Sequence, residues 1–160
     1  LHWYPAELPT YQQDNGCPCF FYEVPEGHFY GFPAFGDGDL KVAKHSGGDE
    51  VTDPLHVDRG LDRQEQLEVE QFLQDYLPGV TRQASGHVVC LYTMAADRFF
   101  TVDRLPQHPG VAIAAGLSGH GFKFTPVLGE SLAQLVLDGT TALDIGFLSI
   151  EHAHDRQRAQ

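Results

Sequence analysis

Short apolar runs separated by turn residues fill the first 45 residues, and longer runs with helical spacing follow. Leu1 to Tyr4 is apolar and aromatic and is cut off by Pro5, and Asp14-Asn15-Gly16 is a turn signal. Cys19 to Val24 and His28 to Phe32 are strand runs joined by Pro25-Glu26-Gly27, which predicts a hairpin. A second turn, Phe35-Gly36-Asp37-Gly38-Asp39, leads into a third strand, Leu40 to His45, closed by the Ser46-Gly47-Gly48 loop. With connections this short, three adjacent antiparallel strands are the expected arrangement. In the third strand Lys41, Ala43 and His45 share one face, and Leu40, Val42 and Lys44 share the other. Lys41 and His45 then lie about 13 Å apart. Lysine, alanine and histidine make an unusual core face, so that side is either solvated or lines a polar pocket, with Tyr30 and Phe32 able to flank it.

Residues 49–61 are acidic and irregular. From Asp62 to Leu77 the apolar positions Val69, Phe72, Leu73 and Tyr76 repeat with a helical period. Asp62 is placed to cap that helix, with Glu65 three residues on, and Pro78-Gly79 ends it. Val88 to Met94 is a strand run with Cys90 and Tyr92 on one face, and Phe99 to Val102 is another. Val111 to Gly116 is small or β-branched and uncharged, as a strand buried on both faces would be. Glycines 116, 119 and 121 follow, and Pro126 at N1 opens a helix running to about Leu137. Its stripe of Leu128, Leu132, Leu135 and Val136 predicts a largely buried helix. Thr140 to Ile150 reads as a short arm, and Glu151 to Gln160 as a frayed tail.

Charge narrows the partners. Twenty-two acidic residues against ten basic ones give −12, which argues against a nucleic-acid surface or an anionic membrane face. The excess either draws a cationic or zwitterionic substrate or serves solubility alone. No apolar run approaches the length of a membrane span. Three cysteines are odd in number and too few for a disulfide scaffold, so a reducing cytoplasm is expected.

The glycine order, G-x-x-G-x-G, reverses the dinucleotide fingerprint and lacks its downstream acidic residue. A tight strand-to-helix turn that needs no ligand is therefore one reading. His120 and Lys123 embedded in the turn favour a site. Cys17-Pro18-Cys19 has no matching pair for zinc, and the nine histidines show no ligand spacing, so no metal is expected. Cys90, alone in an apolar run, is either a buried inert thiol or an attachment point. The residues by themselves define a soluble α+β chain with a mixed or antiparallel sheet, two main helices and one unusual turn.

Three stretches carry a resemblance: Cys90-Leu91-Tyr92-Thr93, Phe99-Phe100-Thr101-Val102-Asp103, and the run from Ala114 through Gly116-Leu117-Ser118-Gly119-His120-Gly121-Phe122-Lys123 to Phe124. In this order they resemble the C-terminal half of the monomeric sarcosine oxidase family. Tyr30-Gly31-Phe32-Pro33 and the run from Leu40 to Gly48 are more similar to its N-methyltryptophan oxidase branch. The resemblance implies the C-terminal part of a two-domain FAD-dependent oxidoreductase fold. Residues 1–86 would belong to the substrate-binding domain and residues 87–150 to the FAD-binding domain.

The resemblance further implies an amine oxidase that demethylates an N-methyl amino acid with O2, giving formaldehyde, the amino acid and hydrogen peroxide. Cys90 matches the cysteine that holds FAD covalently, and Lys41 the lysine that promotes oxygen reduction. Lys123 matches a lysine that pairs with the substrate carboxylate, and Tyr30 and His45 match residues flanking the substrate. Gly119, His120, Gly121, Phe122 and Lys123 match the turn beside the flavin, and Tyr92, on the side of Cys90, matches a substrate-binding position. Nothing matches the family's G-x-G-x-x-G or its N-terminal half. The chain is thus expected to be a fragment that neither binds FAD tightly nor oxidises substrate alone, and that associates into a homodimer through exposed apolar faces. A binding module that kept the fold without the cofactor is the alternative.

Overall fold

The computed structural model describes residues 1–45 and 47–158, apart from the side chain of Gln157. Ser46 of the expected glycine loop, and Ala159 and Gln160 of the expected tail, lie outside the described residues. The chain divides into two units, Leu1–Cys90 and Leu91–Gln160.

Local turn chemistry builds the first unit. Strands β2 (Phe20–Val24), β3 (Gly27–Phe32) and β4 (Leu40–Lys44) form the expected antiparallel meander. Strand β1 (His2–Tyr4) pairs antiparallel with β4, and the two-residue β5 (Gly86–His87) pairs with β1, giving the order β2-β3-β4-β1-β5. Helix α1 (Arg63–Tyr76) starts where the sequence places it: the Asp62 carboxylate accepts from the amides of Gln64 and Glu65. Its buried residues Val69, Phe72 and Leu73 form one core with Tyr4, Phe29, Leu40 and Val42. Phe72 stacks on Phe29 with centroids 4.4 Å apart and takes the edge of Tyr22 at 5.4 Å. Each such side chain contributes about 1.5–3 kcal/mol by burial. Gly31 belongs to this packing, since a Cβ there would lie 2.2 Å from the Phe20 ring.

In the second unit β6 (Thr101–Leu105) and β7 (His108–Ala115) form an antiparallel hairpin, and Phe100, Val102, Leu128 and Leu148 form its core. Helix α2 (Thr125–Leu137) has Pro126 in its first turn. The sequence pattern is qualified here in one place and corrected in three. First, the buried-type composition of β7 is not matched by burial on both faces: Val111 is 46% exposed, the exposure expected of this strand in a fragment that lacks the half covering it. Second, residues 88–94 form no strand, since past the bond from Val88 N to Leu1 O no neighbouring strand pairs with them. Third, α2 is half exposed: Leu128 and Leu135 are buried, but Val136 and Leu137 are not. Fourth, the expected frayed tail is helix α3 (Ile150–Arg158). Asp103 Oδ2 accepts its first amide, and Arg156 donates to Asp97 Oδ2 at 2.6 Å and to the Phe147 carbonyl at 2.6 Å. That guanidinium holds the Asp97 carboxyl below the usual range.

Candidate functional site

The face of the first sheet turned away from α1 collects the candidates of the first unit. Alternation along β3 and β4 puts Tyr30, Phe32, Lys41 and Ala43 on it. Cross-strand register sets Phe32 opposite Lys41 on one side and Trp3 opposite Lys41 on the other. The Lys41 Nζ lies 4.8 Å from the Phe32 centroid and 5.9 Å from that of Trp3, within cation–π range. Among the described residues no carboxylate pairs with it.

Tyr30 meets Phe32 edge-on at 6.2 Å and His45 edge-on at 6.1 Å, and Phe21 packs on His45 at 5.4 Å. The structure therefore brings Lys41, Tyr30 and His45 together along one row of rings. The choice the sequence leaves open, solvated face or polar lining, resolves to a half-buried surface of aromatic rings and one cation, with Ala43 only 1% exposed.

The candidates of the second unit sit on the turn after β7. Gly116, Ser118 and Gly119 all have left-handed backbone, with φ of 64°, 45° and 76°. For a serine that conformation costs about 1–3 kcal/mol. Hydrogen bonds offset it: Ser118 N donates to the Thr93 carbonyl at 3.0 Å, and Ser118 Oγ donates to the Gly116 carbonyl and accepts from Ala95 N. Ser118 thereby fixes the turn to residues 93–95.

Gly119 is required by Tyr92, because a Cβ at that position would lie 2.6 Å from the Tyr92 ring. His120 Nδ1 is 2.9 Å from the Ser118 carbonyl, so in the neutral imidazole Nδ1 carries the proton, and Phe100 packs against the ring at 4.8 Å. Phe122, Lys123 and Phe124 form one turn of 3₁₀ helix (Phe122–Phe124), with Lys123 Nζ 5.3 Å from the Phe124 ring and Phe122 92% exposed.

Cys90 is exposed and its thiol is free, which corrects the buried-thiol alternative. Burial, with Cys19 nearby, pushes the Cys17 thiol up, the opposite of what activates a cysteine. Among the described residues no three histidine, cysteine or acidic side chains gather as metal ligands. A groove of about 500 Å³ between α1 and residues 82–87 contains none of the sequence-predicted site residues.

Sequence reasoning misses Trp3 and Ser118. Trp3 reaches Lys41 through a strand pairing distant in sequence, while Ser118 occupies a backbone region where glycine or asparagine would signal the turn.

The chain is a member of the FAD dependent oxidoreductase family, whose pattern matches residues 3–135. It is 42% identical, over 98% of its length, to the monomeric sarcosine oxidase of Arthrobacter sp. (strain TE1826). It is 39% identical, over 89% of its length, to the N-methyl-L-tryptophan oxidase of Salmonella typhi. The chain spans 40% and 38% of the lengths of those two relatives. Among solved structures, NikD, an unusual amino acid oxidase essential for nikkomycin biosynthesis, superimposes with a TM-score of 0.68 at 22% identity, covering 92% of this chain and 40% of NikD. The L-proline dehydrogenase of P. horikoshii superimposes with a TM-score of 0.60 at 21% identity, covering 89% of this chain and 39% of that one. The α+β fold expected from the sequence is the one observed. No helix among the described residues is long and apolar enough to cross a membrane.

Proposed function

We propose that this chain is the C-terminal part of an FAD-dependent oxidase acting on the CH–NH bond of an N-methyl amino acid of the sarcosine or N-methyltryptophan type. The observation that carries the reading is the 42% identity to a monomeric sarcosine oxidase across nearly the whole chain. The residues present fit a covalently held flavin. Cys90 offers a free, exposed sulfur, and Lys41 offers a positive charge that no carboxylate among the described residues cancels. FAD, when bound, would supply a two-electron oxidant: the N-methyl group would lose a hydride equivalent, the iminium would be hydrolysed by water to formaldehyde and the amino acid with release of a proton, and the two electrons would reach O2 with two protons as hydrogen peroxide.

The roles of the chain's own residues follow. Cys90 supplies the thioether sulfur. Lys41 holds a positive charge where negative charge develops on oxygen. Lys123 attracts the substrate carboxylate, with Tyr92 beside it in the substrate site. Tyr30 and His45 flank the substrate amine. Gly119, His120, Gly121 and Phe122 form the wall beside the ring system.

In the whole protein, mass spectrometry of the peptide containing Cys90 is expected to find a flavin adduct that Cys90→Ser removes. Covalent flavin retained in Cys90→Ser would overturn the attachment assignment. Anaerobic bleaching by sarcosine or N-methyl-L-tryptophan identifies the substrate class. The 160-residue chain alone is expected to lack flavin absorbance and oxidase activity, and to dimerise in light scattering; a yellow preparation of it would refute the first. Three unpaired cysteines accord with a cytoplasmic location.

A further inference from the structure

We propose that Trp3 and Phe32 are positioning residues that hold the Lys41 ammonium between two aromatic rings without neutralising it. The inference deepens the reading of Lys41 as the residue that promotes oxygen reduction, and it rests on that reading.

A lysine on a sheet face has a long, mobile stem, and something must fix its head. Three residues further along β4, Lys44 is fixed in the ordinary way, by the Glu68 carboxylate at 2.5 Å. That partner cancels the charge. Lys41 is flanked instead by rings from the strands on both sides, at 4.8 Å and 5.9 Å. An aromatic ring attracts a cation through its quadrupole but carries no net charge. The ammonium is thus restrained while its full charge stays available to an anion or to developing negative charge. The placement is built into the backbone: the register of β3 with β4, and of β1 with β4, puts Phe32 and Trp3 directly across from Lys41. Phe32 is itself held by the edge of Tyr30, which links the clamp to the remaining candidates on the face.

The sequence contains three lysines and one tryptophan, which makes the clamp directly observable. In the 160-residue chain labelled with ¹³C-lysine, the Lys41 Hε signal, identified by its loss in Lys41→Met, is expected upfield of that of Lys44, which has no ring over its ammonium among the described residues, through the ring currents of Trp3 and Phe32. Trp3→Leu and Phe32→Leu should each move it downfield, and Trp3→Phe should largely restore it. In the whole flavoprotein, Trp3→Leu and Phe32→Leu are expected to slow flavin reoxidation by O2 about tenfold, with anaerobic reduction by substrate changed less than about twofold.

A Lys41 signal unmoved in both leucine variants overturns the clamp. So does wild-type reoxidation in both leucine variants when Lys41→Met is slow. Wild-type reoxidation in Lys41→Met overturns the oxygen role of Lys41 and this proposal with it, whatever the spectrum shows. If Trp3→Leu fails to fold, Phe32→Leu with Trp3→Phe carries the same comparison.

Discussion

The two lysines of β4 stand three residues apart on opposite faces of one sheet, and their surroundings differ in kind. Lys44 lies on the side of Leu40 and Val42, where its charge is spent on Glu68 of α1 and helps to dock the helix. Lys41 lies among Phe32 and Trp3, where the charge is held but not cancelled. The difference teaches that a single strand can carry one cation tied into an ion pair and another left uncancelled among rings when the pleat separates them, and that the partner distinguishes them better than the residue type does.

The widest separation should appear in catalysis. Lys41→Met in the whole protein is expected to slow reoxidation by O2 about 10²–10³-fold, whereas Lys44→Met should stay within about twofold. Rapid mixing of the reduced protein with O2 measures both, and equal losses would erase the contrast. Next comes stability. Leu40→Ala on the helix side should cost about 2–5 kcal/mol in urea unfolding. Phe21→Ala on the opposite face, where the ring is 56% exposed, should cost less than about 1 kcal/mol.

Smallest is the Lys44–Glu68 pair itself, since Glu68→Gln should cost only about 0.2–1 kcal/mol. Its pH dependence has a definite sign. Lys44 holds the Glu68 carboxyl below the usual range, so on acidification the unfolded chain takes up the proton first. The contribution is complete above the ordinary glutamate pKa of about 4.3 and is lost as pH falls through the lower folded value. Denaturation curves of wild type and Glu68→Gln should therefore differ at neutral pH and converge in acid.

Features built from neighbours in sequence were legible. Asp62 announces the cap of α1, and Pro25-Glu26-Gly27 the β2–β3 hairpin, because each is decided within a few residues. Features that depend on distant chain were not. Residues 88–94 have the composition of a strand, but a strand exists only where another pairs with it. Helix α3 is polar apart from Ile150 and Ala153 and is anchored by Asp103 and Asp97, about 50 positions earlier in the sequence. The candidate site divides in the same way. Lys41, His45 and Tyr30 follow from alternation and motif, whereas Trp3 enters only through the non-sequential pairing of β1 with β4.

Ala43 has a further consequence, for how such a protein changes over generations. Leu40 and Val42 are buried in the core, whereas Lys41 and His45 are the candidates that the proposed function assigns to chemistry. Ala43 belongs to both groups, since it faces the site yet is 1% exposed, directly across from Tyr30. In a mutational library, position 43 should accept little besides glycine, alanine and serine, while position 41 should accept polar residues with little loss of stability.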